Sequence, residues 1–258
     1  MNARETISRL RDRANSVYTG TLQRGYFRVF GHQVDQRFAI VSNARTGSNY
    51  LLDGLKTSPD IRVYHEIFAS HNRELGKDFD RILSMIYQYE NKSTRMVGFK
   101  VFYNHLIDDE WKKLAARDDL KVIHLTRQNR LRTVISLEIA FKTGQWTKAG
   151  KAGGPKQKRV TLDPLKLLKR LEQIEEGEIA TRARFCDRQI LEVVYEELVQ
   201  APHEAFESIS TYLGVQGVNP AKIRLQRQNP ESLEHLVINY DEVKSALENT
   251  RFAEYLGQ

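Results

Sequence analysis

Arg45 and Ser48 stand in the run R-F-A-I-V-S-N-A-R-T-G-S-N-Y-L-L-D-G-L, residues 37 to 55. A guanidinium and a hydroxyl beside a helix start can hold an anion, because several N–H groups converge there with the helix dipole behind them. Arg127 repeats the theme in T-R-Q-N-R, and Ser136 follows it in the next helical stretch. His65 and Glu66 are adjacent titratable groups in H-E-I-F, able to take a proton from a hydroxyl. Lys100 interrupts the apolar run M-V-G-F-K-V-F, where a buried ammonium is costly unless it reaches a cleft or an anion. Together these residues point to anion binding with a proton-transfer group beside it.

The elements that must position them can be read from periodicity. Phe38 to Val41 is a short apolar run with β-branched residues, as a buried parallel strand requires. Tyr50, Leu51, Leu52 and Leu55 then recur at helical spacing, so Ser42 to Gly47 is the turn between strand and helix. Residues 120 to 125 form a second such strand, Thr126 to Arg130 a basic turn, and residues 131 to 141 a helix. Two strand–turn–helix units in one parallel sheet put both anion sites on the same edge. Residues 61 to 64 and 96 to 102 are further strands. His65 and Glu66 therefore follow a strand end.

Elsewhere, the pattern predicts helices over residues 3 to 17, 78 to 90, 106 to 117, 163 to 185 and 202 to 213. It predicts a strand at 190 to 195 and a helix-like tail through Leu247. Residues 1 to 36 read as an N-terminal helical extension, its aromatic part suiting a subunit contact and hence a homodimer. Residues 37 to 258 read as one domain. Residues 142 to 160 are rich in lysine and glycine and hold no acid, as expected of a flexible basic loop. That loop could shield an anionic ligand or contact an acceptor, with Trp146 as a stacking surface.

The 258 residues can bury a full core. Forty Lys+Arg against 33 Asp+Glu give a net charge of +7, which permits nucleic acid, a membrane surface or a polyanionic small ligand without choosing among them. The basic residues are scattered, with no nucleic-acid motif. One cysteine, Cys186, excludes an internal disulfide and any multi-cysteine metal site. No apolar stretch of about eighteen residues suggests a membrane span. With no secretory leader in the sequence given, the expectation is a cytoplasmic protein.

The first turn is not a Walker A loop, since both its leading glycine and its lysine are missing. Residues 43 to 50 instead resemble the 5′-phosphosulfate loop of sulfotransferases. Three more segments extend the likeness in order: V-I-H-L-T-R-Q-N-R-L-R-T-V-I-S-L-E-I-A, V-V-Y-E-E-L-V-Q-A-P and R-L-Q-R-Q-N-P-E-S-L-E-H-L-V-I-N-Y-D-E. The chain from residue 37 onward thus resembles sulfotransferases that use 3′-phosphoadenosine 5′-phosphosulfate (PAPS). It is most similar to bacterial carbohydrate sulfotransferases of the type acting on nodulation-factor lipo-oligosaccharides.

The resemblance implies an α/β fold, a central parallel β-sheet flanked by helices, P-loop-NTPase-like. It implies Arg45, Thr46, Gly47, Ser48 and Asn49 as the phosphosulfate cradle, and Tyr50 and Tyr195 near the adenine. It implies Arg127 and Ser136 at the 3′-phosphate and Arg227 near the nucleotide. Glu66 matches the base of carbohydrate members, while other branches use His there, so His65 stays a contender. Arg45 replaces the usual lysine and can hold charge but not donate a proton at neutral pH. Lys100 would assist at the leaving oxygen. The resemblance further implies 3′,5′-adenosine bisphosphate (PAP) as the product, no required metal, and a carbohydrate or another hydroxyl compound as the acceptor. Two other classes share features of the sequence: a nucleotide kinase or NTPase-like phosphotransferase, and a non-catalytic polyanion-binding protein.

Overall fold

The computed structural model describes residues 31–73, 78–87, 89–146, 158–225 and 228–257. The expected helix over residues 3 to 17 lies outside them. So do most of the N-terminal extension and the centre of the basic loop.

Five parallel strands form the central sheet in the order β3-β5-β2-β6-β7. They are β2 (Gln36–Ser42), β3 (Ile61–Tyr64), β5 (Met96–Phe102), β6 (Leu120–Thr126) and β7 (Leu191–Val194). The chain leaves β2 towards one edge, returns, and then builds the other side. β2 therefore stands at the reversal of strand order, where open parallel sheets place their ligands. In register, Ile40 is opposite Lys100 of β5 and Ile123 of β6.

Both faces of the sheet are covered, which is why its strands read as nearly continuous apolar runs. On one face Ala39, Val41, Phe99, Val101 and Val122 pack against α3 (Phe79–Ile86) and α4 (Asp108–Ala115). On the other, Phe38, Ile40, Ile123 and Leu125 meet Leu51, Leu52 and Leu55 of α1 (Ser48–Leu55) and Phe206 and Leu213 of α8 (Pro202–Leu213). A short helix, α2 (Ser70–Arg73), lies between β3 and α3. A third core joins α5 (Arg130–Thr143), α6 (Pro164–Arg184) and the C-terminal segment.

Local chemistry fixes the helix ends near the site. Asn129 caps α5 by accepting from Arg132 N at 2.9 Å, and Asp163 caps α6 by accepting from Leu165 N and Lys166 N. Arg130 forks onto the buried carboxylate of Glu178, with Nη2–Oε2 at 2.6 Å and Nε–Oε1 at 3.2 Å. That fork ties the start of α5 to α6.

Three expectations are redrawn. The helix expected over 78 to 90 ends at Ile86, and Tyr89–Glu90 instead forms β4, pairing antiparallel with β1 (His32–Gln33). The tail divides into α9 (Leu233–Leu236) and α10 (Tyr240–Leu247). Val160 draws the chain out between them, donating to Leu236 O and accepting from Ile238 N, each at 2.8 Å. Tyr195 opens the helix α7 (Tyr195–Gln200) rather than ending β7. Among the described residues, no helix is long and apolar enough to cross a membrane.

Candidate active site

The turn between β2 and α1 closes through two residues with positive φ, Arg45 at 67° and Gly47 at 89°. Gly47 stands at the N-cap of α1 and its carbonyl accepts from Tyr50 N at 2.9 Å. A side chain there is excluded twice, by the left-handed backbone and by space. A Cβ on Gly47 would lie 2.2 Å from the ring of Tyr195. Thr46 is buried and its hydroxyl donates to Asn43 O at 2.8 Å. Thr46 therefore shapes the loop and does not line the cleft beside it.

That cleft, about 690 Å³, lies across the C-terminal ends of β2, β5 and β6, a size typical of small-molecule sites. Both basic turns reach it. Arg45 donates from Nε to Ser136 Oγ at 3.1 Å, from Nη1 to Trp146 O at 2.6 Å, and from Nη2 to Gln228 Oε1. Burial draws the Arg45 guanidinium below its ordinary pKa, opposed by the nearby charge of Glu66. Arg127 extends from the second turn, donating to Arg45 O at 3.4 Å and lying 4.9 Å over the Tyr195 ring. Tyr195 is thus sandwiched between the first loop and the arginine of the second. Tyr50 lines the cleft and leans on Phe206.

At the β5 side of the cleft, Lys100 is 1% exposed, and its Nζ lies 2.9 Å from Glu66 Oε1 and 2.7 Å from Asn49 Oδ1. Desolvation pulls the lysine pKa down, and Glu66 resists that pull. Charged groups in so confined a place are held by their partners. Glu66 lines the cleft with its carboxylate partly exposed. His65 does not line it. Its Nε2 is 2.6 Å from Lys56 Nζ. Desolvation of the ring first, then the cations Lys56 and Lys100, push its pKa down to about 4, although the residue as a whole is exposed.

The cleft thus gathers Arg45, Gly47, Ser48, Asn49 and Tyr50 from the first unit with Arg127, Ser136 and Tyr195 from the second and its neighbour. Glu66 and Lys100 join them. Arg227 lies outside the described residues. Three polar lining residues were not singled out from sequence: Arg132, Gln228 and Asn229. Asn229 donates to Ser136 Oγ at 3.3 Å. Among the described residues the buried Nε2 of Gln228 has no hydrogen-bond partner, which makes it a candidate donor to a ligand. The signal for these was adjacency, since Arg132 falls in the run after Arg127, and Gln228 and Asn229 directly follow Arg227. Among the described residues, no group of three or more His, Cys, Asp or Glu could hold a metal ion.

No protein-family model matches the chain. Over 233 residues it is 23% identical to nodulation protein H of Rhizobium meliloti (strain 1021), covering 85% of this chain and 94% of that protein. In structure it is similar to a sulfotransferase from Alicyclobacillus acidocaldarius, with TM-score 0.52 and 17% identity over 83% of this chain and 94% of the other. A looser likeness, TM-score 0.44 and 15% identity, covers 90% of this chain and 78% of mouse sulfotransferase SULT7A1 complexed with PAP. The chain is a homologue of nodulation protein H over most of its length, and its fold is that of sulfotransferases.

Proposed function

We propose that this sulfotransferase takes its sulfuryl group from PAPS and delivers it to a hydroxyl of a carbohydrate or glycolipid, with Glu66 as the base. One observation carries the reading. The two basic turns open on one cleft and are joined through Arg45, which bonds Ser136 while its own carbonyl receives Arg127. A ligand with phosphate on both sides of one nucleoside matches such a pair of turns; ATP, with a single phosphate chain, does not.

In this reading Ser48, Asn49 and the start of α1 hold the 5′ end of the nucleotide. Arg127, Ser136 and Asn229 hold the 3′-phosphate, and Tyr50 and Tyr195 flank the base. The unpartnered Gln228 Nε2 fits an anionic ligand and supports the assignment. Bound PAPS supplies the sulfuryl group, whose bond to the phosphate oxygen breaks as the bond to the acceptor oxygen forms. Glu66 removes the proton from the attacking hydroxyl. Lys100 and Arg45 hold positive charge where the leaving oxygen gains negative charge. As in phosphoryl transfer, the protein's share is positioning and charge stabilisation.

Melting-temperature titrations with PAP, 5′-AMP and ATP–Mg²⁺ test this. The bisphosphate should stabilise the protein most, because a ligand bound only by the folded state raises its stability. Equal responses to PAP and 5′-AMP would remove the 3′-phosphate assignment. A preference for ATP–Mg²⁺ would turn the reading towards phosphoryl transfer.

A further inference from the structure

We infer that Trp146, steadied by Phe141, is the shelf on which a sugar ring of the acceptor lies, and that it sets acceptor specificity; the inference rests on the sulfotransferase reading above. Among the described residues, Phe141 and Trp146 are the aromatic members of the exposed large hydrophobic side chains, at 60% and 47% exposure. Their rings meet edge to face, with centroids 5.2 Å apart and planes at 88°, an arrangement that holds a ring in place. Both residues stay open to solvent although apolar, and Trp146 also lines the cleft.

Trp146 lines the same cleft as Glu66. Its backbone carbonyl accepts from Arg45 Nη1 at 2.6 Å, and Arg45 lies within electrostatic reach of Glu66. The Trp146 backbone and the Glu66 carboxylate therefore both act on one guanidinium. Tyr50 and Tyr195 already provide aromatic surface at the nucleotide loop, which leaves Trp146 for the other substrate.

The surroundings select the chemistry of that substrate. Glu66, Lys100 and Asn49 make the transfer end polar and charged, and the shelf is half open to water. A flat phenol or steroid would need an enclosed apolar slot. A pyranose ring has one C–H face for the indole and a rim of hydroxyls for the polar walls, as the cleft requires.

The chain has two tryptophans, and Trp111 is buried at 2% exposure, so ligand-dependent fluorescence reports on Trp146. PAP-saturated protein would be titrated with cellotetraose, chitotetraose and maltotetraose, with sorbitol as a ring-free control. At least one tetramer should quench saturably and sorbitol should not. Trp146→Phe should lose that signal while its melting temperature still responds to PAP. In transfer assays with the quenching tetramer, Trp146→Ala should raise the acceptor KM by about tenfold, on the scale of one lost aromatic contact. The PAPS KM should stay within about twofold, and Trp146→Phe should recover part of the loss. Absence of quenching by every tetramer, in protein that PAP stabilises, would overturn the shelf and leave the donor assignment standing. Quenching by PAP alone, with no further change on adding sugar, would put the indole on the adenine and also overturn it. Failure of PAP to stabilise the protein would sink the donor reading and this one with it.

Discussion

The ammonium of Lys100 lies 2.9 Å from Oε1 of Glu66, inside a sheet whose neighbouring strand residues are fully apolar. A cation at that point holds the carboxylate in one orientation. Glu66→Gln keeps the shape and removes the proton acceptor. Turnover in a sulfate-transfer assay should fall by about 10²–10⁴-fold, with the PAP-induced melting shift retained. Near-normal turnover would show that another group takes the proton.

His65 gives the opposite prediction. Its pKa of about 4 lies below the ordinary 6.5, so between these values the unfolded chain binds a proton that the folded protein does not. Stability should therefore fall as pH drops from about 6.5 to about 4 and level off below. His65→Asn should flatten that decline in thermal melts across the window. Its sulfate-transfer rate should stay within about twofold of wild type, since the imidazole is outside the cleft and neutral at pH 7. A loss comparable to that of Glu66→Gln would make His65 the base instead.

Arg127 lies over Tyr195 and donates to the first loop. Arg127→Ala removes a charge-assisted contact worth about 1.5–3 kcal/mol, roughly tenfold or more in affinity. Calorimetric titration should show PAP binding reduced to the level of 5′-AMP. Asn229→Ala, which loses a neutral donor to Ser136, should weaken PAP less. Undiminished preference for PAP in Arg127→Ala would move the 3′-phosphate site elsewhere.

Gly47→Ala places a methyl group against Tyr195 and strains a backbone at φ 89°. The left-handed conformation costs about 1–3 kcal/mol where it is held in place, and the clash adds to it. The variant should melt several degrees lower and bind PAP poorly. Adding Tyr195→Ala relieves the clash alone, so the double variant should lose less stability than the two single losses added together. Strict additivity in denaturant titrations would mean that the two residues do not press on each other.

The sheet and the two basic turns were legible because their signals are local. The apolar run ending at Val41 and the helical spacing of Tyr50 to Leu55 fix β2 and α1, and the same holds for β6 and α5. Lys100 stood out as a charge among apolar residues, but nothing near it in sequence announced Asn49 as its partner. Residues 89 and 90 have a helical neighbourhood yet pair with β1, a tertiary choice that periodicity does not record. Thr46 carried a motif role, and only the folded loop turns it inward to Asn43. Gln228 and Asn229 have ordinary amides, and they became visible only when the C-terminal segment was laid beside α5.

Arg45 makes bonds to α5, to the chain after it and to the C-terminal segment at once. The guanidinium is therefore solvated by protein before any anion arrives. An incoming anion that takes up these donors exchanges partners and does not simply add them, so affinity reflects the difference between two sets of hydrogen bonds. In the proposed reaction, departure of product would return Arg45 to Ser136, Trp146 and Gln228, so release would not strand a bare cation. Under the proposed assignment, a cradle built this way would favour turnover over retention.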